Sequence, residues 1–141
     1  MRRGKFFIRR DAETRSLSSP LCLNQKALGE IGLDYHYDDA AEPEKQKEAF
    51  IRQLDLAVKL NKPVIIHIRE AMQDSLEILK KYEGRIRGVI HCFSGSAESA
   101  KVLVKMGFYI GIGGVVTFKN GKKMINKSHR RTSPETVAFI F

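Results

Sequence analysis

The chain has little cysteine. Cys22 and Cys92 are its only thiols and form no CxxC pair, which is too few for a disulfide framework or a thiolate metal site and suits a reducing compartment. No apolar run approaches the roughly 18 residues of a membrane span, so no membrane partner is expected. The opening MRRGKFFIRR lacks the long apolar centre of a secretory signal, and although it is Arg-rich, Asp11 and Glu13 argue against a transit peptide. A cytoplasmic location is the expectation. No GxSxG elbow surrounds Ser94 and Gly95, which reads as a turn and not as a nucleophile site. IGIGGV (Ile110 to Val115) lacks the GxGxxG dinucleotide fingerprint. Internal repeats and low-complexity segments are also missing.

What is present suits one globular domain: 141 residues, 43% hydrophobic and 29% charged. The net charge of +9 invites a nucleic-acid reading, but its distribution weakens that inference. Residues 1–26 hold seven bases against two acids and residues 118–141 six against one, so each flank carries +5. The 91 residues between them hold twelve bases and thirteen acids. The basicity belongs to the ends and not to the part with regular pattern.

That part alternates. ALGEIGL (Ala27 to Leu33) reads as a short buried strand, and YHYDDAAEPE as a loop into a helix with Pro43 in its first turn. Phe50, Leu54 and Ala57 recur at helical spacing to about Leu60, with Lys45, Lys47, Glu48, Arg52, Asp55 and Lys59 as a solvated face. Asn61 ends this helix and Pro63 blocks its continuation. PVIIHI (Pro63 to Ile68) is apolar and β-branched, as a parallel strand covered on both faces should be. A helix with Met72, Leu76 and Leu79 as its buried stripe follows to Tyr82, and Gly84 lies just past its end. GVIHCF (Gly88 to Phe93) is the next strand, Ser96 to Met106 a helix capped by Ser96, and FYIGI (Phe108 to Ile112) a fourth strand. Such alternation predicts right-handed βαβ units and a parallel sheet, an α/β fold of about four βα units. Residues 1–26 and everything past Asn120 show no such pattern.

Three polar residues interrupt the apolar strands: Glu30, His67 and His91. Left unpaired, a buried carboxylate or imidazole costs several kcal/mol, so each must find a partner. Hydrogen bonding to neighbours is the ordinary solution, and a shared metal ion is the alternative. Period-two alternation puts Glu30 on one face with Gly32 and Asp34, His67 with Ile65 and Arg69, and His91 with Val89 and Phe93. Neighbouring strands lie about 4.8 Å apart, so such residues can converge on one ion. Three protein ligands plus water is the usual catalytic arrangement, and strand C-terminal ends are where α/β sheets bind ligands.

GEIGLDYH (Gly29 to His36), PVIIHIREA (Pro63 to Ala71), HCFSG (His91 to Gly95) and GFYIGIGGVVTFKN (Gly107 to Asn120) closely resemble, in order and spacing, motifs of the TatD-like metal-dependent deoxyribonucleases. The resemblance covers residues 27–120, about two thirds of the chain, with residues 1–26 and 121–141 as unmatched basic flanks. It implies a TIM-like (β/α) barrel, here partial, that hydrolyses phosphodiester bonds with divalent metal (Mg, Mn or Zn) and takes DNA or another phosphodiester as substrate. Glu30 then matches a bridging carboxylate with a catalytic role, and His67 and His91 match two imidazoles on one ion. Asp34 and Arg69 match substrate-side positions. Arg69 either grips a scissile phosphate or pairs with Glu70 or Asp74, while Lys119 and Asn120 read as solvated loop residues.

Two parts of the family pattern find no match. One is a first strand ending in two histidines one residue apart, since residues 1–26 hold no histidine; the other is a later aspartate. His129 sits in a basic stretch unlike the family. With barrels of this type needing about 250 residues, the expectation is a fragment, weak or inactive alone, whose open sheet edges favour self-association. Flanks read out of frame, or a disrupted gene, would explain the abrupt loss of resemblance. The rival expectation is a non-catalytic remnant that binds nucleic acid through its basic flanks.

Overall fold

The computed structural model describes residues 26–113 and 137–139. Strand β1 (Leu28–Asp34) leads to helix α1 (Pro43–Leu60), β2 (Val64–Arg69), α2 (Met72–Lys80), β3 (Gly88–His91), α3 (Ala97–Lys105), β4 (Phe108–Ile112) and β5 (Val137–Phe139). The strands form one sheet in the order β1-β2-β3-β4-β5, and every neighbouring pair is parallel. Sequential order with a helix in each of the first three crossovers is the winding of a (β/α) barrel, the described residues supplying five of its strands.

The apolar strand residues face the helices. Ile31 and Leu33 of β1, Val64, Ile66 and Ile68 of β2, Ile90 of β3, and Phe108 and Ile110 of β4 are buried with Phe50, Leu54 and Ala57 of α1, Ile78 and Leu79 of α2, and Leu103 of α3. Each fully buried side chain of this size contributes roughly 1.5–3 kcal/mol. The alternate residues, among them Glu30, Asp34, His67 and His91, share the opposite face and are only partly covered by the described residues.

Most boundaries follow from local chemistry. Asn61 adopts the left-handed conformation (φ 50°, ψ 41°) that closes α1, and Lys62 N–H bonds back to the Ala57 carbonyl at 3.0 Å. Ser96 caps α3, its hydroxyl accepting from Ser99 N–H at 3.1 Å.

Four expectations are corrected. The buried stripe of α2 carries Ser75, Ile78 and Leu79, with Met72 and Leu76 only partly buried, because the helix docks with Ala71, Ser75, Ile78 and Tyr82 inward. Lys47 and Asp55 are not idle surface charges: Lys47 Nζ lies 2.8 Å from Asp74, and Tyr82 Oη donates to Asp55 at 2.7 Å. Strand β3 stops at His91, since Cys92 takes a positive φ of 48° and turns the chain. The tail read as unpatterned supplies β5, whose Val137 pairs with Ile110 and Phe139 with Ile112. A strand this short offers too little periodicity to be read from sequence.

Candidate metal centre

Register builds the site. In the β1-β2-β3 ladder Asp34 lies beside Arg69, Gly32 beside His67, and His67 beside His91. The histidines therefore stand on adjacent strands at the same level, near the strand C-terminal ends. Gly32 allows β1 to approach: its φ is +142°, and a Cβ added there would run into the His67 carbonyl. Just past the two histidine strands, Glu70 and Cys92 take positive φ values of 53° and 48°. For residues other than glycine that conformation costs about 1–3 kcal/mol and clusters at functional sites.

Glu30 is the hub. Its Oε1 lies 3.4 Å from His67 Nδ1 and 3.8 Å from His91 Nε2. The other nitrogen of His67, Nε2, lies 3.0 Å from Asp34 Oδ2. A carboxylate only accepts, so at this contact the ring donates, and a neutral ring then presents the Nδ1 lone pair towards Glu30. In that tautomer Nδ1 and Oε1, 3.4 Å apart, would both offer lone pairs to a cation held between them. Ligand bonds of about 2.0–2.2 Å set adjacent ligand atoms about 3–3.6 Å apart, which matches Glu30 with His67 and falls slightly short for His91. His91 Nε2 also lies 3.1 Å from Cys92 Sγ. Burial, then the Glu30 carboxylate, pushes the Cys92 thiol up, so near neutral pH it stays protonated as a weak donor. Among the described residues no group of three or more His, Cys, Asp or Glu side chains closes around one metal position. By its chemistry a donor set of one carboxylate and two imidazoles suits a borderline divalent ion, and to share such an ion with Glu30 and His67, His91 would have to come closer than 3.8 Å.

Around this hub the structure sorts the other expected residues. Asp34 has both oxygens engaged, Oδ1 accepting His36 N–H at 3.0 Å and Oδ2 meeting His67. Arg69 does not pair with Glu70 or Asp74 as one expectation had it; its Nη1 donates to Tyr37 Oη at 3.1 Å, with the guanidinium 5.3 Å from that ring's centroid. Glu70 instead meets His36 Nδ1 at 2.6 Å, and Asp74 takes Lys47 and the Tyr35 hydroxyl. Lys119, Asn120 and His129 lie outside the described residues. Sequence reasoning passed over Gln46, whose amide bonds both backbone groups of Asp34. The available signal was position, since Gln46 shares the stripe of Phe50, Leu54 and Ala57, and a polar residue on a buried stripe needs a partner.

A parallel β/α sheet that brings a carboxylate and two imidazoles of three neighbouring strands together is an arrangement suited to the metal-dependent barrel hydrolases. Comparison with known proteins makes the family definite: residues 19–137 match the model for the TatD related DNases, and the chain belongs to that family. It is 52% identical over 99 residues to YabD of Bacillus subtilis, described as an uncharacterized metal-dependent hydrolase, covering 69% of this chain and 38% of that protein. It is 41% identical over 91 residues to the 3'-5' ssDNA/RNA exonuclease TatD of Shigella flexneri, covering 64% of this chain and 35% of that one. The crystal structure of the TatD homolog YJJV from Escherichia coli superposes with a TM-score of 0.71 at 34% identity, over 79% of this chain and 42% of that one. The chain thus spans well under half the length of these relatives. Among the described residues no helix is long and apolar enough to cross a membrane.

Proposed function

We propose that this chain is the segment of a metal-dependent phosphodiesterase that carries one metal half-site, with Glu30, His67 and His91 as ligands and nucleic acid as the substrate. The observation that carries the reading is the shared Glu30 oxygen, 3.4 Å from one imidazole and 3.8 Å from the other on adjacent strands. Glu30, His67 and His91 would hold a divalent ion, which would supply Lewis-acid polarisation of a phosphoryl oxygen and a lowered pKa of water. The chain's own residues supply position and charge. Asp34 fixes the ring of His67, a role its doubly engaged carboxylate fits better than contact with an anionic phosphate. Arg69, steadied by Tyr37 on the same face as His67, is suited to a phosphate oxygen. The domain bounds of 27–120, a cytoplasmic setting and self-association through the sheet edges belong to the same proposal; the free thiol of Cys92 supports the second of these and the parallel edge strands the third.

The test is hydrolysis of a simple phosphodiester and of single-stranded DNA by the purified chain, with and without Mg, Mn or Zn, beside His67→Ala. Metal-dependent turnover that His67→Ala abolishes is expected. Turnover that survives in His67→Ala, or that needs no metal, would reject the assignment. Nucleic acid bound without hydrolysis, retained in His67→Ala and lost steeply with salt, would favour the basic-flank alternative.

A further inference from the structure

We propose that Gln46 is a positioning residue for the metal centre, acting on His67 through Asp34; the inference rests on the reading of His67 as a ligand. Gln46 lies in the first turn of α1 and is 4% exposed, one of two buried polar side chains among the described residues. Its amide is engaged at both ends. Oε1 accepts Asp34 N–H at 2.9 Å, and Nε2 donates to the Asp34 carbonyl at 2.9 Å and to the Ala41 carbonyl at 2.7 Å.

The reason lies in the sheet. Asp34 is the last residue of β1, and Tyr35 N–H bonds to the Arg69 carbonyl of β2 at 3.0 Å. Backbone groups of successive strand residues point to opposite sides, so the Asp34 N–H and C=O point away from β2, towards the edge of the sheet that the described residues form. There Gln46 provides the donor and acceptor that a further strand would provide. Its side chain pins the Asp34 backbone from one side while the Asp34 carboxylate holds His67 Nε2 on the other at 3.0 Å. The hydrogen bonds of the Gln46 amide go to Asp34 and Ala41, so its effect on the centre is exerted through Asp34. The seating of α1 does not depend on this amide, because Phe50, Leu54 and Ala57 are buried to 0–1% exposure further along the helix.

Outer partners of metal-bound histidines set ring orientation, and their loss weakens metal binding about 10- to 100-fold. A substitution one step further out should act at the lower end. The test uses the full chain and Gln46→Met, which keeps length and burial but removes every hydrogen bond of the amide. Two quantities are read: the ring nitrogen shifts of His67 in metal-free protein, assigned by their loss in His67→Ala, and Co²⁺ affinity from its visible absorption. Expected are a single Nε2–H tautomer of His67 in the parent, a tautomer mixture in Gln46→Met, and Co²⁺ affinity about tenfold weaker. The affinity loss should largely disappear in an Asp34→Asn background. Leu54→Ala, a core change away from the site, controls for general loosening and should leave the tautomer unchanged.

A folded Gln46→Met with parental ring shifts, or with no more disturbance than Leu54→Ala, overturns the proposal. Should Gln46→Met fail to fold, Gln46→Glu keeps the acceptor and the volume, loses the donors as a carboxylate, and is read the same way. Failure of the metal reading is a separate result, namely no Co²⁺ binding by the parent or equal binding by His67→Ala. The ring shifts still decide whether Gln46 controls His67.

Discussion

Replacing Tyr82 by Phe should make the protein less stable at neutral pH and more stable in strong alkali. Tyr82 is buried, and its hydroxyl donates to Asp55 Oδ1 at 2.7 Å. Burial first, then the hydrogen bond and charge of Asp55, push its pKa from 10.0 up to about 12, against a smaller opposing effect of Arg85, whose guanidinium stands 4.9 Å from the ring centroid. A phenol whose folded pKa is raised stabilises the fold fully below the unfolded pKa and loses that contribution as pH rises through the folded one. The window is therefore pH 10 to 12. Two units at about 1.36 kcal/mol each amount to roughly 2.7 kcal/mol, half of it gone by about pH 11. Tyr82→Phe gives up about 1 kcal/mol of hydrogen bonding at every pH below the window but has no phenol to ionise. The two stability curves should therefore cross near pH 11 and separate beyond it. Urea unfolding followed by circular dichroism between pH 8 and pH 12, with absorbance at about 295 nm to count phenolates, measures this against a total stability of order 5–15 kcal/mol. Parallel curves with no crossing would refute the reasoning. Tyr35, raised to about 12 by burial and then by its bond to Asp74, titrates in the same window in both proteins and cancels from the comparison.

Other consequences are equally direct. Gly32→Ala should destabilise by more than about 3 kcal/mol, or prevent folding, because its methyl group meets the His67 carbonyl on rigid backbone; a melt near the parental midpoint would contradict the close β1-β2 approach. Ser75→Ala should raise stability by about 1 kcal/mol, since Ser75 Oγ is fully buried with no hydrogen-bond partner among the described residues; chemical denaturation measures it. Adding Zn or Mn at about a hundred times its Kd should stabilise the chain by about 2.7 kcal/mol, and a chelator should reverse it. His67→Ala should show no such shift in a thermal melt.

The strand and helix order was legible because a parallel β/α sheet writes a strong pattern: apolar β-branched runs such as VIIHI alternate with amphipathic stretches such as the one holding Phe50, Leu54 and Ala57. Glu30, His67 and His91 stood out for the same reason, being polar residues in apolar strands. Side-chain partnerships were less visible. Arg69 had two plausible charged partners nearby in sequence, yet its hydroxyl partner Tyr37 arrives from the loop after β1, and Glu70 and Asp74 are taken by His36 and Lys47. Residues that meet across separate elements leave no periodic trace in either one.

By itself the sequence determined the α/β class, the parallel winding, the family and the three candidate ligands, since periodicity and motif spacing are local properties that a short stretch carries whole. Only the tertiary structure decided that Asp34 turns to His67 and His36, that Gln46 bonds the Asp34 backbone on the side away from β2, and that Val137–Phe139 joins the sheet beside β4. These follow from strand register and from where backbone donors and acceptors are left unpaired, quantities that exist only once the elements have come together.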